Sequence, residues 1–403
     1  MGGKQMSTVR RRCVFYVGGF DPKGARFYEA LYREQAAIQA KVNGMRIVVG
    51  SRRRLADGNS CWDLQADTPS GSVHTHYEFM RWDDIVRAYW PKNIWHLWWK
   101  IIFTSILYLR TGALWKMYKL SWPAAVAVFL PFLLLLGAFI LPPPVAFLVH
   151  RIVFAVTNHD ATSWIVAGLA ALCLLVLAWR VEARYRLYWL MRSYAFTGRQ
   201  GLGRLPDLEA RLDALASSLV KRVANDPYDE VLVIGHSSGA IMAASILARA
   251  LKLSPQLADE PGRQFALMTL GHCIPLLGLL PQAREFRRQL ETLGAVDHLD
   301  WIDFSAPPDG CCFALVDPLA ACGLVPVPER PKLLSPRFAE MFGTESYRML
   351  REDKLRLHFQ YLRAAEEASL YDYFLITAGD MTLSQRFAGT PGVAGYSALR
   401  PWK

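Results

Sequence analysis

Two stretches of this chain carry no charge over the length needed to cross a bilayer: residues 122–141 (WPAAVAVFLPFLLLLGAFIL) and 161–179 (ATSWIVAGLAALCLLVLAW). A hydrocarbon core asks for about 20 apolar residues, and soluble cores rarely use uncharged runs that long. Pro131 is compatible with a spanning helix, because neighbours or water satisfy the freed carbonyl. The flanks set the orientation. Arg81, Arg87, Lys92, Lys100, Arg110, Lys116 and Lys119 precede the first stretch, and Arg180, Arg184, Arg186, Arg192, Arg199 and Arg204 follow the second. The 142–160 connection holds only Arg151 among Lys and Arg. Positive loops stay cytoplasmic, so the pattern predicts a transmembrane helical hairpin with both soluble flanks in the cytoplasm. Residues 94–109 (IWHLWWKIIFTSILYL) read as an interfacial helix, with a re-entrant segment as the alternative. Trp82, Trp90, Trp95, Trp98, Trp99, Trp115 and Trp122 crowd this region as an aromatic belt does.

This divides the chain into three. Residues 1–90 form the N-terminal part of a soluble domain, 91–200 the membrane insertion, and 201–403 the C-terminal part. The net charge is +11, and the arginine clusters at 10–12 and 52–54 read as solvated faces or phospholipid contacts. The seven cysteines, with Cys311 and Cys312 adjacent, show neither a disulfide framework nor a zinc spacing, which suggests reduced cytosolic thiols. The N-terminal MGGKQMSTVRRR lacks the apolar core of a secretory signal, and Met6 stands where a myristoylation signal needs Ser or Thr. Arginine outnumbers lysine, as in GC-rich bacteria, so the expected location is a bacterial inner membrane with the soluble domain facing the cytoplasm.

The soluble parts alternate strands and helices. CVFYV (13–17) reads as a buried strand ending at Gly18-Gly19, with Asp21 and Pro22 capping the amphipathic helix that follows. MRIVVGS (45–51) and VHTHYEFMRW (73–82) are strand-like, separated by a Gly/Asn/Ser/Pro-rich loop. Residues 205–224 form a helix, and FALMTLG (265–271) and HLDWIDFS (298–305) form further strands. This alternation predicts an α/β fold whose mostly parallel sheet is flanked by helices.

The chemistry concentrates at Gly235-His236-Ser237-Ser238-Gly239, a G-x-S-x-G between the strand VLVI and the helix AIMAASILARA. In that context the serine occupies a strained strand-to-helix turn, and glycines flank it because the two elements pass too closely for a Cβ. A glycine-rich turn without catalysis is the alternative.

On these residues the soluble parts resemble the α/β-hydrolase superfamily; the inserted hairpin lies outside the resemblance. The resemblance implies Ser237 as nucleophile and the Ser238 N–H as one oxyanion donor. The second donor would come from the turn holding Gly19 and Phe20, which otherwise is a plain turn. The superfamily's chain order is Ser, acid, His. That order points to Asp309, in the proline-rich turn after WIDFS, and to His358, the one histidine beyond it. Asp303 and Asp317 are alternative acids, and His272 could border the pocket. His358 lies in a helix-like stretch with no clear strand before it, since YDYFLIT (371–377) comes later; a packed neighbour of Phe359 and Tyr361 is the other reading.

No G-x-G-x-x-G, Walker loop, metal triad or nucleic-acid module is visible, so no cofactor and no metal is expected. The expected function is a membrane-anchored serine hydrolase cleaving a lipid or acyl ester, with bilayer phospholipid as its surroundings. The alternatives are an acyltransferase or thioesterase using the same residues, or a non-catalytic scaffold with a degenerate hydrolase fold.

Overall fold

The computed structural model describes residues 8–91 and 93–393. Met6 and Lys92, used above, fall outside that range. Nine strands form one sheet: β1 (Arg11–Val17), β2 (Ile47–Val49), β3 (Arg53–Arg54), β4 (Ser60–Thr68), β5 (Gly71–Phe79), β6 (Glu230–His236), β7 (Gln264–Leu270), β8 (Leu299–Phe304) and β9 (Lys332–Leu334). The order is β2-β4-β5-β1-β6-β7-β8-β9, with β3 beside β4. From β5 to β9 every pairing is parallel; β2, β3 and β4 add antiparallel pairs at one edge. Most of the region read as a loop between 52 and 72 is therefore β3 and β4. In β4, residues 62–66 alternate buried and exposed, as a one-face-solvated antiparallel strand should.

The period of two sorts the strands onto two cores. Val14, Tyr16, Leu232 and Ile234 face α1 (Ala25–Asn43) and the C-terminal segment. Phe15, Val17, Val231 and Val233 face the opposite layer, which contains α9 (Pro206–Asn225) and α10 (Gly239–Leu253). Gly24, not Asp21 or Pro22, precedes α1; the Asp21 carboxylate instead accepts from the Lys23 N–H at 3.0 Å.

Arg12 corrects the reading of residues 10–12 as a solvated cluster. It is fully buried and ion-paired to Glu230, its register partner on β6. Its guanidinium also donates to the Gly379 and Met381 carbonyls, both at 2.7 Å, while Glu230 accepts from the Leu383 N–H at 2.6 Å. The pair thus ties the C-terminal segment to the sheet. Arg12→Ala leaves a buried carboxylate unpaired, so it should cost about 3–5 kcal/mol, read from denaturant midpoints of the purified protein.

Between α2 (Asp83–Tyr89) and α9 runs a helical insertion: α3 (Ile94–Arg110), α4 (Ala113–Leu120), α5 (Trp122–Ile140), α6 (Pro142–Thr157), α7 (Asp160–Tyr185) and α8 (Leu187–Gly201). Two of these, α5 and α7, are long and apolar enough to span a membrane, and only 18% and 11% of their apolar windows are buried, unlike core helices. The connection at 142–160 is mostly the helix α6, which packs along α7 through a turn at Asn158 and His159. Three prolines at its start disguised it, although proline suits the first turn of a helix.

The 94–109 stretch is helical as expected, but its tryptophans divide. Trp95 and Trp99 are exposed, whereas Trp98 packs with Leu187 and Met191 of α8. Trp82 is no part of a belt: it is buried and donates to the Gly18 carbonyl at 2.9 Å.

Candidate active site

Parallel strands present their C-terminal ends at one edge, and ligands of such sheets bind there, next to the strand where chain direction reverses across the sheet. Here β1 and β6 are neighbours at that point, and each ends in a loop that carries candidate chemistry. After β6 the chain turns at Ser237 with φ +59°, a conformation a non-glycine residue holds only when its surroundings enforce it. The Ser237 N–H donates to the Leu270 carbonyl at the end of β7, at 2.8 Å.

The flanking glycines are sterically required. A Cβ on Gly239 would meet the carbonyl oxygens of Val17 and Gly18, the latter at 2.5 Å, and one on Gly235 would sit 2.5 Å from Ala240 Cα. Both obstacles are backbone and cannot rotate away. Gly239→Ala should therefore cost more than about 3 kcal/mol, at or above the top of the usual overpacking range, and lower the Tm visibly by circular dichroism.

The turn after β1 lies against the serine: a Cβ on Gly19 would be 3.1 Å from Ser237 Cβ. The Phe20 N–H donates to Ser238 Oγ at 2.8 Å, so that donor is engaged. Among the described residues the Gly19 and Ser238 N–H groups donate to no backbone carbonyl. Trp82 donates to Gly18 O and Trp189 of α8 donates to Phe20 O at 3.0 Å, which braces the turn from both sides.

Asp309, in the turn beyond β8, and His358, at the end of the short helix Lys354–His358 beyond β9, meet at this edge. His358 Nδ1 donates to Asp309 Oδ2 at 2.8 Å, with both side chains about 1% exposed. Tyr361 OH (3.2 Å) and the Cys311 N–H (3.0 Å) also donate to the Asp309 carboxylate. Burial pushes this carboxyl up, but His358, then the Cys311 N–H and the Cys312 thiol outweigh it, so it titrates below the ordinary value. His358 Nε2 is buried and has no partner among the described atoms. No hydrogen bond joins it to Ser237, whose Oγ lies 3.8 Å from Cys273 Sγ. The strand that precedes His358 is β9, three residues that the sequence did not mark, and YDYFLIT is helical from residue 373 on.

The competing residues have other partners. Asp303 is buried and accepts from Thr269 and Ser305 hydroxyls, both at 2.6 Å. Asp317 caps a short helix through the Leu319 and Ala320 N–H groups. His272 donates to the Val316 carbonyl at 3.1 Å. Asp309, Cys311 and His358 do place one donor atom each within 4.8 Å of one another, as a metal site needs. Against that use, His358 Nδ1 is engaged by Asp309, and burial pushes the Cys311 thiol well up, away from the thiolate a metal takes.

His236 has a role that the motif does not reveal. Its Nε2–H donates to the His358 carbonyl at 2.9 Å and the two rings lie 4.9 Å apart, which fixes the His358 backbone beside the elbow. Burial, and then His358, lower its pKa from 6.5 to about 3. The unfolded chain therefore takes up this proton near 6.5 and the folded protein only near 3. The stability it supports is whole above 6.5 and falls by about 1.4 kcal/mol per pH unit below that. Between pH 6 and 4 the wild-type stability should drop more steeply than that of His236→Gln, by about that slope.

All seven cysteines are unpaired. The roles of Ser238 Oγ, Tyr361, Cys273 and Trp189 carry no sequence signal, because each depends on long-range approach. No family model, no curated protein and no solved structure matches this chain.

Proposed function

We propose that the chain is a membrane-anchored serine hydrolase of the α/β-hydrolase kind, cleaving a lipid or acyl ester through Ser237, His358 and Asp309. One observation carries the reading: a serine held at positive φ shares a sheet edge with a buried Asp309–His358 pair whose Nε2 is free. The mechanism requires the Ser237 hydroxyl to leave Cys273 and reach Nε2; catalytic hydrogen bonds often tighten only when substrate binds. Nε2 then takes the hydroxyl proton as Oγ attacks the carbonyl. Gly19 and Ser238 N–H groups receive the oxyanion, each donor worth roughly 10²–10³ in rate. His358 returns the proton to the leaving alcohol, and water releases the acyl group by the same steps. Asp309 holds the Nδ1–H tautomer that leaves Nε2 able to accept.

Anchoring rests on α5 and α7, forming a transmembrane hairpin with α6. At about 1.5 Å per residue α7 extends about 39 Å, beyond a hydrocarbon core of about 30 Å. Basic flanks argue for a cytoplasmic soluble domain. Such an anchor keeps the site near headgroups. A fluorophosphonate probe should label the wild type and spare Ser237→Ala; equal labelling of both ends the proposal. The unmade Ser237–His358 bond is what a non-catalytic scaffold would also display, and ester turnover that disappears in His358→Ala excludes that reading.

A further inference from the structure

We infer that the inserted helices form a passage through which a hydrocarbon chain reaches Ser237 directly from the bilayer. This rests on the acyl-ester reading above and adds where the chain lies. On its outer side, a groove of about 390 Å³ opens between the α3–α4 corner and α5, lined by Leu109, Trp115, Tyr118, Val126, Leu130 and Leu133 among others. Leu114 and Phe129 line this groove and also a second, inner cleft between α3, α5 and α8. Those two side chains wall both spaces and form the partition that a chain would have to pass. The inner cleft is bounded by Ile101, Tyr108, Met191 and Tyr194 and has only about 20 Å³ of free room, so it is closed to anything longer than a water until side chains move.

The inner end points to the candidate site. Tyr108 OH donates to the Leu276 carbonyl at 2.8 Å, three residues beyond Cys273, whose Sγ is 3.8 Å from Ser237 Oγ. Tyr194, on the same wall, is close enough to Cys311, Cys273 and Asp309 to interact with each electrostatically. Two of the polar groups on the way are already satisfied: Thr104 Oγ1 donates to the Lys100 carbonyl, and Tyr108 is bonded as above. Water gains few partners in such a path, whereas a methylene chain loses none. The outer mouth lies on α5, one of the two helices long enough to span a membrane, so a chain could enter sideways without crossing water.

The test uses the full chain in phosphatidylcholine vesicles with p-nitrophenyl butyrate and palmitate. Leu114→Trp, which thickens the partition, should lower palmitate turnover at least tenfold and leave butyrate within twofold. Phe129→Ala, which thins it, should raise the palmitate-to-butyrate ratio severalfold. A ratio unchanged in both variants, including a parallel loss of both substrates, overturns the passage. A diazirine-tipped palmitic acid should crosslink Ser237→Ala protein within residues 101–133; crosslinks confined to α6 and α7 overturn it equally. If the wild type neither hydrolyses butyrate nor takes a fluorophosphonate, the hydrolase reading fails, and the crosslinking result judges the passage by itself.

Discussion

Ser237→Ala should lower ester turnover by roughly 10⁵-fold or more on the proposed function, the loss expected when a nucleophile and its base act as one unit. The size follows from chemistry. Without Oγ no acyl-enzyme forms, and only binding and the Gly19 and Ser238 N–H groups remain to assist water. The substitution removes one oxygen at a position whose φ is +59°. Alanine tolerates that conformation less well than glycine, so Ser237→Gly is the companion variant. Both should retain the wild-type circular dichroism spectrum while turnover falls to the same floor. A residual rate within tenfold of wild type would mean that another group attacks the ester.

The second large effect belongs to Asp309→Asn. The carboxylate accepts three hydrogen bonds, from His358 Nδ1, Tyr361 OH and the Cys311 N–H. An asparagine keeps the shape but presents either an amide donor toward Nδ1 or a weaker, neutral acceptor. With the donor facing it, the imidazole carries its proton on Nε2 and cannot take one from Ser237. The expected loss is about 10⁴-fold in kcat near neutral pH, with KM little changed. The depressed titration of Asp309 keeps this carboxylate ionised through neutral pH. The carboxylate is ionised above its ordinary range and loses its proton-holding role only as pH falls through its lowered folded value. An activity loss of tenfold or less, measured as kcat on a soluble ester, would assign Asp309 a purely structural place.

How much of this was legible in the sequence depends on the range over which each signal acts. The elbow was readable because its requirement is local: Gly235 and Gly239 stand where strand and helix backbones collide, and both lie within five residues of each other. The sheet's parallel strands were readable because burial on both faces makes them continuous apolar runs, as in β6 and β7. Strand β4 was missed because its acidic and polar residues sit on the solvated face, and β9 because three residues are too few for any period. Helix α6 hid behind prolines that break a helix interior but suit its first turn.

The site divides the same way. Asp309 and His358 emerged from chain order, which is a property of the resemblance, and the structure places them 2.8 Å apart. What surrounds them was not legible. Tyr361 OH, His236 Nε2 and Ser238 Oγ each act on a backbone or carboxylate group brought near by folding. Arg12 shows the converse: three consecutive arginines look like a surface, yet the first register pair of β1 with β6 sets one of them against Glu230.

The account turns on whether an acyl group becomes bonded to the elbow serine. A burst experiment with p-nitrophenyl palmitate, quenched in acid and followed by peptide mass mapping, addresses this directly. The account predicts a p-nitrophenol burst close to one equivalent of protein and an acyl mass increment on the peptide containing Ser237. An increment on the peptide containing Cys273, or none at all beside full turnover, contradicts it.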